Sequence, residues 1–180
     1  MEIQTIIDKH IDTEIEVDYY DGKVSMEVIR RFEKNLGYSL PKDFIDFSML
    51  KQFPLTIMVK EEIWPTPEYG HVGPAWTSWK GFFCNSFSET ITENCAIEVL
   101  FEDYAEVNAV PFLQLQANSS SFCFMQDKKI HLRDKSGYED YDLDISFTEF
   151  FEEQLKELMN RKKQYKEWKD GKREFYEPLS

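Results

Sequence analysis

The stretch from Ile29 to Phe47 constrains this chain more than any other. Val28, Ile29, Phe32 and Leu36 fall on one helical face, and Gly37 follows where that helix should stop. Pro41 pushes Leu40 into an extended conformation and suits the first turn of a second helix, whose apolar side is Phe44, Ile45 and Phe47. The pattern predicts two short helices joined at a tight corner, with Leu40 plugging the joint. A corner of this kind needs a layer to pack on.

The rest of the chain supplies that layer. At 180 residues, 16% of them aromatic, the chain suits one domain with a well-filled core. Ile3, Ile6, Ile7 and Ile11 predict a first helix over residues 1–11, and Glu14–Tyr19 alternates as a strand. Further strands are expected at Leu55–Val59, Val110–Leu115, Ser121–Met125, Lys129–Arg133 and Tyr141–Ile145, the third and fourth of these joined as a hairpin. Ser146 and Glu149 form an S-x-x-E capping box, with Ile145 set to staple onto Phe150. Phe147, Phe150, Phe151, Leu155, Leu158 and Met159 then form the stripe of a long last helix. The expected fold class is α+β: a single domain with a twisted, mostly antiparallel sheet, helices packed on it and a long C-terminal helix. Residues 1–160 make its body, and 161–180 extend the last helix as a basic, exposed arm. Tyr165 and Trp168 continue the apolar stripe along it more weakly, and whether it folds back onto the acidic body is open from the sequence.

Charge narrows the partners. The net charge is −13, although Arg161–Arg173 alone holds seven Lys/Arg against two Asp/Glu. So negative a body repels phosphate backbones and steers in basic proteins, so a protein partner is expected rather than a nucleic acid. No apolar run approaches the length of a membrane span, and the N-terminus is acidic where a secretory signal would be basic. The expected location is the cytoplasm, with Cys84, Cys95 and Cys123 reduced.

Two segments invite contact. Residues 64–81 hold three of the four tryptophans, three prolines and three glycines, which forbids a long helix and predicts an ordered loop packed by its own side chains. Thr90–Glu106 predicts a helix, with Ile97, Leu100, Phe101 and Tyr104 inward and Glu98, Glu102 and Glu106 opposite. The candidate partner-binding residues are Glu98, Glu102, Asp103 and Glu106, together with Trp64, Tyr69, Trp76 and Trp79. Aromatic anchors inside a charged rim are the usual composition of interface hot spots. The plainer readings are a solvated helix face and a cover over the core edge.

The corner also resembles the opening signature of the SUKH superfamily, which includes yeast cell-wall-synthesis regulators and bacterial toxin-immunity proteins. Its elements are an acid in the first helix (Glu33), leucine-glycine (Leu36, Gly37), leucine-proline (Leu40, Pro41) and an acid-aromatic pair (Asp43, Phe44). The step Val110-Pro111-Phe112 and the helix start Ser146-Phe147 match later elements of the pattern. Gln52-Phe53-Pro54 replaces the usual asparagine-glycine turn, and Gln116–Ser121 replaces a glycine-rich acidic one. The resemblance implies an α+β fold and a protein-binding role, most often the neutralisation of a toxin.

Nothing in the sequence spells out chemistry. The histidines His10, His71 and His131 lack metal-ligand spacing, and no P-loop, G-x-S-x-G or dinucleotide fingerprint occurs. No catalytic residue, metal or cofactor is expected. The function expected is an immunity-type module that binds a basic toxin domain. The alternatives are a regulatory scaffold for endogenous proteins, or a small-molecule binder using the aromatic loop.

Overall fold

Seven strands pair antiparallel in the order in which they follow along the chain. They belong to a computed structural model that describes residues 3–20, 24–50, 54–66, 79–87, 96–116, 120–133 and 139–172. The strands are β1 (Ile15–Tyr19), β2 (Leu55–Val59), β3 (Gly81–Cys84), β4 (Val110–Leu115), β5 (Ser121–Phe124), β6 (Ile130–Arg133) and β7 (Glu139–Leu143). The helices are α1 (Ile3–His10), α2 (Met26–Leu36), α3 (Lys42–Ser48), α4 (Ile97–Phe101) and α5 (Phe147–Lys169), with a 3-10 turn at Glu102–Val107. The architecture is α+β in a single domain, as expected.

Register places the core. Leu55, Ile57 and Val59 of β2 lie in line with Cys84 and Phe82 of β3, then Leu113, Phe122, Phe124 and Ile130 across the later strands. All of them are buried on one sheet face with Ile6, Ile29, Phe44, Phe147 and Phe151 from the helices. Alternation would send Phe112 to the other face, but the pairing slips between Pro111 and Leu113. That bulge, set beside a proline that has no N–H to give, lets Phe112 stack on Phe124 at 4.1 Å. Burying an aromatic of this size stabilises by roughly 2 kcal/mol or more.

Each residue of the corner has a structural task. Ser25 caps α2, and Gly37 ends it in the left-handed region at φ 87°, where a side chain would be strained. Glu33 reaches over the turn to accept the Leu40 N–H at 2.8 Å, and Leu40 is buried. Pro41 stands at the cap position, one residue ahead of the first turn of α3. Phe44 is fully buried and meets Phe124 at 5.0 Å and Phe147 at 5.2 Å. Asp43 accepts the Thr148 N–H at 3.1 Å, adding a cap from α3 to the Ser146/Glu149 box that starts α5.

Three expectations need correction. The helix expected over Thr90–Glu106 is α-helical only at Ile97–Phe101 and then tightens to 3-10; residues 88–95 lie outside the described part. The last strand sits two residues earlier than its alternation suggested, at Glu139–Leu143. The basic end of α5 is no exposed arm: Lys162, Gln164 and Tyr165 are all buried. Lys162 bonds Asp12 and, at 2.9 Å, Glu14, while Lys166 also bonds Glu14. Opposite charge some 150 residues away in sequence draws the helix end onto the α1–β1 junction.

Candidate partner-binding surface

The acidic segment is a ledge held from beneath. Ile97 is buried in the main core, and Phe101 meets Phe32 of α2 edge-on at 5.3 Å. Tyr104 instead joins a separate buried cluster with Ala109 and Cys123, which lies behind the sheet because Cys123 alternates with the core residues Phe122 and Phe124. The chain has to turn tightly to bridge these two packings, and this is why the helical period breaks after Phe101. The Tyr104 hydroxyl donates to Ser121 Oγ at 3.0 Å. Asn108 ends the turn in the left-handed region and donates to the Leu36 carbonyl at 3.3 Å. Tyr38 donates to the Asn108 carbonyl at 2.8 Å, tying the ledge to the end of α2.

On this support Glu102, Asp103 and Glu106 are exposed, whereas Glu98 is half-buried. Glu98 walls an open groove of about 270 Å³ between α2 and α4, with Val28, Phe32, Leu36 and Phe101 as its apolar floor and Arg31 opposite. That volume lies at the lower edge of the range for small-ligand sites and can take an apolar side chain of a partner. Sequence reasoning found the acids but missed the groove, whose residues lie about 70 positions apart. It also missed Asn108, where a residue tolerant of positive φ marks a helix stop.

The aromatic loop is different. Trp64 is 1% exposed and stacks on Tyr165 of α5 at 4.4 Å, so its ring belongs to the core and offers no face to a partner. Trp79 is half-buried, with the Arg161 guanidinium 4.8 Å over its ring. Lys80, only 4% exposed, closes the neck by donating to the Trp64 carbonyl, Thr66 Oγ1 and Glu61. The Lys80 ammonium, with the Thr66 N–H, holds the Glu61 carboxyl down to about 2. The neck of this loop is thus fastened to α5. Tyr69, Trp76 and His71 lie outside the described residues.

An imidazole and a carboxylate pair behind β5 and β6, with a thiol on the neighbouring strand. Cys123 and His131 are register partners, and His131 Nε2 lies 3.0 Å from the Asp127 carboxylate beside an open crevice with Arg133. The thiol is fully buried, donates to the Ser121 carbonyl of its own strand, and is pushed up by that burial. A neutral, sealed thiol presents no nucleophile to solvent. Cys84 is likewise buried and free, and Cys95 lies outside the described residues. His10 pairs with Glu152 at 2.7 Å. Among the described residues no cluster has the make-up of a metal site, and no helix is long and apolar enough to cross a membrane.

Compared with protein-family models, characterised proteins and solved structures, the chain matches none.

Proposed function

We propose that this chain is an immunity-type binding module that docks a basic toxin domain on the ledge and blocks it. The observation that carries this reading is the exposure of Glu102, Asp103 and Glu106 on a turn fixed by Tyr104, Tyr38 and Asn108, beside an apolar groove. A turn already held in place loses little conformational entropy when a partner docks. Its charge, within a chain of net −13, steers a cationic surface in and rejects acidic ones. The groove offers an apolar floor that an anchor side chain of the partner would cover and desolvate.

The SUKH-like wording supports the class of function rather than the contact. Glu33, Gly37, Leu40 and Asp43 all build the corner, and the ledge is tied to that corner through Leu36 and Tyr38. Such a module would act in the cytoplasm on a toxin encoded beside it. Co-expression with the toxin domain encoded immediately upstream should rescue growth, and E102K/D103K/E106K should abolish the rescue. Cells that survive without this chain, or no complex at moderate salt, would reject the reading. Co-purification with housekeeping proteins and no neighbouring toxin gene would favour the scaffold role instead.

A further inference from the structure

The pairing of β1 with β2 engages only alternate residues. Lys60 donates its N–H to Glu14 O at 2.9 Å, and Tyr20 donates to Pro54 O at 3.0 Å. Even-numbered residues of β1 therefore bond to β2, and antiparallel alternation aims the N–H and C=O groups of Val17 and Tyr19 away from the sheet. The Ile15 N–H is already used, by Asp12 O at 3.1 Å. β1 ends the sheet, so among the described residues no strand takes up the outward groups. Such an edge is a template for another strand.

The side chains beside this edge select the strand that fits. Glu16 and Asp18 are exposed, and Tyr19 and Tyr20 at the end of β1 are each 40% exposed. A second copy of the edge would bring carboxylates against carboxylates, which is unfavourable on neighbouring strands. A strand with Lys or Arg at alternate positions meets Glu16 and Asp18 in the non-hydrogen-bonded pairs, where side chains approach closest. We infer that the β1 edge accepts an extended basic segment of another protein, held by backbone bonds from Val17 and Tyr19 and by ion pairs from Glu16 and Asp18. The site is separate from the ledge and does not depend on the ledge having a partner.

The test is hydrogen exchange on the full chain with the capped peptide Lys-Val-Lys-Val-Lys-Val. Binding should slow exchange of the Val17 and Tyr19 amides at least about tenfold, because each gains an acceptor. Methylating the peptide nitrogens on the pairing side should remove that protection. E16K/D18K, which alters only exposed side chains, should weaken binding about tenfold through two reversed cross-strand pairs. The inference is overturned if the methylated peptide binds equally, or if protection appears only at Glu102–Val107. It is overturned as well if Val17 and Tyr19 are already protected by self-association of the free chain. Because the signal is read at those two amides, failure of the toxin-binding reading leaves it interpretable.

Discussion

Two acidic stretches of this chain are built into the fold in different ways. Asp12 and Glu14 are clamped by Lys162 and Lys166 from the far end of the sequence, whereas Glu102, Asp103 and Glu106 lie on a turn braced from beneath by Tyr104, Tyr38 and Asn108. Both look alike in a charge count. The difference lies in where the cations of α5 fold, so net charge alone does not locate a binding surface. What sets the ledge apart is its support, which comes from Tyr104, Tyr38 and Asn108 rather than from α5.

The support is the first thing to break. Tyr104→Ala removes the plug beneath the ledge and should cost about 3–5 kcal/mol in chemical denaturation, as large-to-small changes of buried aromatics do. An unchanged midpoint would mean that the ledge stands without it. On the other side of the comparison, Lys162→Met keeps the packed stem but leaves Asp12 and Glu14 with less compensation. A loss of about 2 kcal/mol is expected, below the value for a fully buried pair because both carboxylates touch solvent.

Acid should act on the same clamp. Burial disfavours the Asp12 carboxylate, but its bonds to Lys162 and the Glu14 N–H outweigh this and lower its pKa; Lys166 and Lys162 lower that of Glu14. Lys9 and His10 hold Glu152 down to about 2. Carboxylates depressed in the folded state stabilise it fully above their unfolded values near 4, and that stability is lost as pH falls through the folded ones. Melting temperature should therefore drop from about pH 4 towards about pH 2. Lys162→Met should flatten that drop, and an identical drop in the variant would contradict the clamp. A smaller effect, about 1 kcal/mol, is expected from Tyr104→Phe, which deletes one buried hydrogen bond without changing shape. The smallest is that of E102K/D103K/E106K, whose stability should stay within about 0.5 kcal/mol of the parent, as for exposed surface changes generally.

What the sequence disclosed follows the range of the interactions. The corner was legible because its signals are local: an apolar period, Gly37 at the stop and Pro41 at the restart. The Ser146/Glu149 box was legible for the same reason. The Asp43 cap on Thr148 spans 105 positions and leaves no local trace. The buried end of α5 is only partly legible, through Tyr165 and Trp168, because Lys162 and Gln164 are polar and a polar helix reads as solvated unless its distant partners are known. Glu98, Glu102 and Glu106 have the spacing of one helical stripe, and spacing cannot report that Tyr104 must reach the far side of the sheet. Composition alone makes Trp64 a contact residue, whereas its stack on Tyr165 assigns it to the core.

The central claim is that the ledge binds a basic protein through its exposed acids. The direct measurement is the affinity of the toxin domain encoded beside this chain for the parent and for E102K/D103K/E106K at fixed salt. At least a tenfold loss is expected, about 1.4 kcal/mol or more, with melting temperature unchanged. Equal affinity of the two proteins would contradict the account.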